Sequence, residues 1–172
     1  MRYLDRYPTS AGNLRRALLR KVDRNLAICE GDRDVCVGWV DALVAQLVEA
    51  GVVDDRVFAA SRARSLQRRG NSTRVIALKL REKGVPGSII QTTLADLSRE
   101  LGSPDRFAAV TYARKRRMGP FAPDPAARSP RKQKDLAAFA RRGFSYAVAI
   151  RVLEAETIEE LEIWATSVPE NR

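Results

Sequence analysis

The stretch Leu78-Lys79-Leu80-Arg81-Glu82-Lys83-Gly84-Val85 decides the fold, because the chain contains it a second time as Ala137-Ala138-Phe139-Ala140-Arg141-Arg142-Gly143-Phe144. A shift of 59 carries Leu80 to Phe139, Gly84 to Gly143, Val85 to Phe144, Ile89 to Val148 and Leu94 to Leu153. Duplication on this scale marks an array of small helical units, which moves the functional search from pockets to extended surfaces.

The copies extend in both directions. Asp55-Arg56-Val57-Phe58-Ala59 matches Asp105-Arg106-Phe107-Ala108, with the phenylalanines 49 apart. The shift grows from 49 to 59 across Pro120, Pro123, Pro125 and Pro130, which mark an inserted proline-rich loop over 120–130. A more divergent copy lies upstream. Ser10, Leu14 and Leu18 match Ser72, Ile76 and Leu80 at a shift of 62, and Val40, Leu43, Val44 and Leu47 match Ile90, Thr93, Leu94 and Leu97 at a shift of 50. An insertion over 23–34 accounts for the difference. In this copy Val22 stands where the other two have Gly84 and Gly143.

Helix ends are written in the punctuation. Gly51, Gly70, Gly84, Gly102, Gly119 and Gly143 each follow an apolar-periodic stretch, where a left-handed cap belongs. Ser72, Ser103-Pro104, Ser129-Pro130 and Ser145 read as helix starts, and Thr157 with Glu160 as a capping box. The spacing predicts helices over 1–7, 10–28, 34–50, 55–69, 73–83, 87–101, 104–118, 130–142, 146–154 and 157–166. No segment alternates with period two, so no sheet is expected. Val40, Leu43, Val44, Leu47 and Val48 read as one core stripe. The expected fold is all-α: three tandem three-helix repeats in an elongated, curved array, plus a short acidic C-terminal helix. The units run over 1–51, 52–102 and 103–154, with the acidic helix and tail over 155–172.

Composition narrows the function. The 172 residues carry a net charge of +10, no histidine and two cysteines, Cys29 and Cys36. Two thiols without a third ligand make a poor zinc site, and no Gly-rich phosphate loop, nucleophile elbow or paired acidic motif is present. No metal, cofactor or catalytic residue is expected. Asp54-Asp55 precedes a helical pattern and reads as its cap, with Phe58 as core. No apolar run approaches a membrane span, and Met1-Arg2-Tyr3-Leu4-Asp5-Arg6 lacks the apolar stretch of a signal peptide. A cytoplasmic, monomeric, non-enzymatic protein is expected.

The charge is clustered. Residues 25–60 hold seven acidic and two basic side chains, 61–83 eight basic and one acidic, and 111–142 ten basic and two acidic. Such blocks suit a polyanionic partner. The candidate contact surface is Arg64, Arg68, Arg69, Arg74, Arg114, Arg116, Arg117, Arg131, Lys132, Lys134, Arg141 and Arg142.

Glu49-Ala50-Gly51-Val52-Val53-Asp54-Asp55-Arg56-Val57-Phe58-Ala59 resembles the hallmark segment of the RecX regulatory proteins. Arg68-Arg69-Gly70, Leu80-Arg81-Glu82-Lys83-Gly84-Val85 and Ala140-Arg141-Arg142-Gly143-Phe144-Ser145 continue the resemblance in order, over about residues 4–153. The resemblance implies tandem three-helix repeats and a function: binding the RecA recombinase filament on single-stranded DNA and modulating it, usually by inhibition of its ATPase, strand-exchange and co-protease activities in DNA repair and the SOS response. Set beside it is a sequence-independent nucleic-acid-binding helical protein, for which the basic blocks would meet phosphates. No helix mixes Arg with Asn or Gln at base-reading spacing.

Overall fold

The computed structural model describes residues 8–28 and 30–167. The expected helix over 1–7 and Cys29 lie outside the described residues. Within them the chain is all-α and built of three-helix repeats, with no strand. The helices are α1 Ala11–Leu26, α2 Arg33–Glu49, α3 Asp55–Arg68, α4 Thr73–Glu82, α5 Gly87–Leu101, α6 Pro104–Arg116, α7 Arg128–Arg141, α8 Tyr146–Glu154 and α9 Ile158–Thr166. Short 3-10 turns at Gly119–Phe121 and Pro125–Ala127 break the proline-rich loop.

Two cores organise the array, the first aliphatic and the second built around three packed aromatic rings. Ala59, Ala63, Leu66, Ile76, Leu80, Val85, Ile90 and Leu97 close the group α3–α5. Ala108, Tyr112, Phe139, Phe144, Val152 and their neighbours close the group α6–α8, and Leu161 and Ala165 of α9 join that core. Each fully buried large side chain here contributes about 1.5–3 kcal/mol. The acidic helix α9 is therefore packed against α6, with Arg106 Nη1 donating to the carbonyls of Trp164 and Ser167, both at 3.2 Å.

The second helices of the units end alike. Val85 N–H bonds to the Leu80 carbonyl and Phe144 N–H to the Phe139 carbonyl, both at 3.2 Å, across Gly84 at φ +76° and Gly143 at φ +77°. This double turn requires a left-handed residue, which glycine adopts without a Cβ penalty. Val22 replaces that glycine in the first copy, and α1 runs on through it to Leu26. Part of the 23–34 insertion is thus extra helix.

Other helix ends depart from expectation. α6 closes at Arg117, which takes the left-handed conformation itself at φ +54°, so Gly119 falls two residues beyond the cap. Ser103 makes no capping hydrogen bond. α7 begins at Arg128, upstream of Ser129, because the 3-10 turn capped by Asp124 feeds into it. The α2 stripe is only half core: Val40 and Val44 are buried, whereas Leu43 and Val48 are exposed. Ser72, Ser145 and Thr157 do cap α4, α8 and α9, and Glu160 reaches back to Glu156 N–H at 3.1 Å.

Consecutive groups are joined by one device used twice. Ser72 Oγ caps α4 by accepting from Val75 N–H and donates to the Arg142 carbonyl at 2.7 Å. Thr73 N–H, the next orphan donor of α4, is accepted by Asp105 at 2.7 Å. Upstream, Ser10 Oγ donates to the Lys83 carbonyl and Ala11 N–H is accepted by Asp55 at 2.8 Å. The starts of α1 and α4 are therefore each capped in part by the following unit. Asp54 caps α3 itself, but Asp55 caps α1.

Ser10 and Ser72 are fully buried, which makes these bonds costly to lose. Ser72→Ala is expected to lower stability by about 1–3 kcal/mol, since it removes a cap and the part-buried bond to the Arg142 carbonyl. Ser145→Ala removes only an exposed cap and is expected to cost about 0.5–1 kcal/mol. Urea denaturation of the two variants measures the difference.

Candidate binding surface

Helical spacing and the joint between α4 and α7 bring charge together. Arg74, Leu78 and Arg81 follow one another by four and three residues along α4, so they share a face. This face forms a cleft with Ala140, Arg141 and Gly143 at the end of α7. Arg141 also belongs to a second cleft, whose walls are Lys115, Arg116, Arg117, Arg131 and Lys134. The two clefts share Arg141 as a common wall, and together they present one basic surface across α4, α7 and the end of α6, here called the trough. The buried carboxyl of Asp135 lies at its base. Arg74, Arg81, Arg116, Arg117, Arg131, Lys134 and Arg141 are all exposed.

Of the residues singled out from sequence, Arg74, Arg116, Arg117, Arg131, Lys134 and Arg141 converge in this trough. Arg68 and Arg69 are exposed at the end of α3, outside both clefts, and the Arg68 carbonyl accepts from Lys115 Nζ at 3.3 Å. The other four are engaged within the chain. Arg64 makes a two-pronged pair with Glu100 of α5, at 2.5 and 3.1 Å. Arg114 pairs with Glu162 of α9 at 2.5 Å and lies over the Phe121 ring. Lys132 pairs with Glu154 at 2.5 Å. Arg142 clasps the joint, donating to Asn71 Oδ1 at 2.9 Å and lying over the buried Tyr112 ring.

Arg81 and Lys115 were missed from sequence. The step of seven from Arg74 to Arg81 is the signal that places Arg81 on the same helix face.

The exposed pairs are minor stabilisers. The hydrogen bond from Arg64 holds the Glu100 carboxyl below its ordinary range, and Arg15 does the same to Asp41. Carboxyls lowered on folding stabilise above their unfolded titration range, and that contribution disappears as pH falls through the lowered one.

Arg117 carries two properties at once. Its left-handed backbone costs an L-residue about 1–2 kcal/mol, and its side chain lines the trough. Arg117→Gly is expected to raise stability by about 0.5–1 kcal/mol, net of glycine's greater unfolded-state entropy. Thermal melts check this, and a loss of stability would show that the side chain packs for the fold.

Among the described residues no group of three or more His, Cys, Asp or Glu is placed to hold a metal. Cys36 is a free, half-buried thiol. No described helix is long and apolar enough to cross a membrane.

The family model described as RecX, second three-helix domain, matches residues 54–94, which span α3, α4 and the first half of α5. A regulatory protein RecX of Myxococcus xanthus is 44% identical over 155 residues, covering 90% of this chain and 82% of that protein. One from Agrobacterium fabrum is 38% identical over 120 residues, covering 68% and 59%. One from Mycobacterium sp. strain JLS is 33% identical over 131 residues, covering 73% and 70%. No solved structure matches the chain.

Proposed function

We propose that this chain, which belongs to the RecX family of regulatory proteins, binds the RecA filament on single-stranded DNA and inhibits it without doing chemistry of its own. It acts in the cytoplasm as a monomer. The observation that supports the reading is the basic trough, two adjoining clefts that place Arg74 of α4, Arg141 of α7, and Arg116 and Arg117 at the end of α6 on one surface. The identity of the partner rests on the family resemblance.

A filament repeats the same surface at every protomer. A basic trough that crosses two units of a helical array suits an extended acidic surface better than a single compact ligand. Charge complementarity speeds encounter and fixes register, while wrong partners are repelled. Seated on the filament, the array obstructs strand exchange, blocks the approach of a protein substrate and slows ATP turnover.

The test is dependent on RecA. Substoichiometric amounts of the protein are expected to lower RecA's DNA-stimulated ATP hydrolysis and its strand exchange, and the protein is expected to sediment with preformed filaments. No effect on either activity, with no co-sedimentation, overturns the reading.

The cationic lining of the trough favours one second reading, direct phosphate contact with nucleic acid. Binding of that kind weakens steeply with salt and shows no preference for RecA-coated over bare strands.

A further inference from the structure

We propose that the outer face of α2 is a docking site for a basic amphipathic helix of a partner protein, separate from the trough. From Val35 to Val48 this helix contains one charged residue, Asp41, which is paired with Arg15 at 2.5 Å. Yet only Val40 and Val44 are buried. Val35 is 47% exposed, Trp39 69% and Leu43 45%. These three follow at steps of four and form one stripe. Gly38 and Ala42 lie beside it, and a Cβ added at Gly38 meets nothing within 4 Å. Contiguous apolar surface of this kind on a soluble protein marks an interaction site.

The repeat indicates what covers such a face. At the shift of 50, Gly38, Trp39, Ala42, Leu43 and Gln46 stand opposite Ser88, Ile89, Thr92, Thr93 and Asp96 of α5. In α5 those positions line a groove whose other wall is Arg56, Val57 and Ala60 of α3. The covering helix is basic, with Arg56, Arg62, Arg64 and Arg68 against the single acid Asp55, and Arg64 is paired with Glu100 of α5.

Charge selects the occupant. Glu30, Asp32, Asp34 and Glu49 are exposed on and beside α2. A helix like α3, with a small aliphatic ridge flanked by arginines, meets the stripe with its apolar side and these acids with its edges. A second copy offering its own α2 would bring the same acids face to face, which opposes self-pairing.

The probe is a labelled peptide of residues 54–70, which carries the α3 ridge and its arginines. Fluorescence anisotropy with the full chain is expected to show saturable binding. Trp39→Ala and, separately, Gly38→Arg are expected to weaken it roughly tenfold or more. The thermal midpoint of Trp39→Ala should hold, because the side chain is 69% exposed. Gly38→Arg removes no packing and keeps the test informative if Trp39→Ala does not fold. A peptide with its five arginines, Arg56, Arg62, Arg64, Arg68 and Arg69, changed to Glu should not bind. Equal binding to both variant chains, or no binding of the unaltered peptide up to about 1 mM, the weak limit of specific recognition, overturns the proposal. So does Trp39-dependent self-association in sedimentation, which makes the occupant a second copy.

Discussion

Gly143→Ala is expected to destabilise the array by about 2–4 kcal/mol, from a left-handed alanine and the loss of a buried hydrogen bond together. The residue sits at φ +77°, and a Cβ built there lies 2.7 Å from Ser72 Oγ and 3.2 Å from Val75 Cγ2. Ser72 must move, and its bond to the Arg142 carbonyl goes with it. For a chain of this size the thermal midpoint should fall by about 5–15 °C. Gly102→Ala is the comparison: φ is +67° there, but nothing lies within 4 Å of the added Cβ. Its cost should be the backbone strain alone, about 1–2 kcal/mol. Equal losses in the two variants would mean that the contact across the joint contributes nothing. Because Arg74 and Arg141 meet across this same joint, Gly143→Ala should also weaken filament binding well below its melting temperature.

Charge reversal in the trough is expected to have the largest effect on binding. With Arg116, Arg131, Lys134 and Arg141 changed to Glu, co-sedimentation with RecA filaments should weaken by about two orders of magnitude or more, as attraction becomes repulsion at four adjacent positions. The loss should shrink as salt rises, since these groups are exposed. Changing Arg20, Lys21, Arg24 and Arg56 to Glu alters the net charge equally on surfaces outside the trough. That variant should bind nearly as the unaltered protein does. Equal loss in both would reduce the trough to one part of a diffuse positive field. Arg114 is left out because its reversal breaks the pair with Glu162 and loosens α9.

Much of this was legible in the sequence, and the gaps have physical causes. Gly84 and Gly143 announce helix ends because no other residue adopts their backbone freely. Apolar spacing locates the helices for a similar reason, since period and burial are linked within one element. What local pattern does not carry is the partner across space. Arg64 and Arg74 look alike in sequence, yet one faces Glu100 on α5 and the other opens into the trough. Arg142 is adjacent to Arg141 but points back to Asn71 and Tyr112, because successive helical residues diverge in direction. Leu43 and Val48 have core spacing, but burial requires a neighbouring helix, and none of the described residues supplies one. Ser129-Pro130 looks like a helix start, and only the upstream turn at Pro125–Ala127 moves the start to Arg128.

The device joining the units does not recur in the third copy. A serine hydroxyl at the head of one second helix reaches the carbonyl before the glycine of the next, at Ser10 and again at Ser72. The same register in the third copy, 59 residues after Ser72, holds Arg131. There the chain has lengthened α7 upstream through the proline-rich loop, so position 131 lies within the helix instead of heading it. No hydroxyl is offered for a further linkage, and α9 occupies the adjoining flank of α6. The position that carries the link in the first two copies has become, in the third, a cation in the trough: a joining residue has been exchanged for a surface charge.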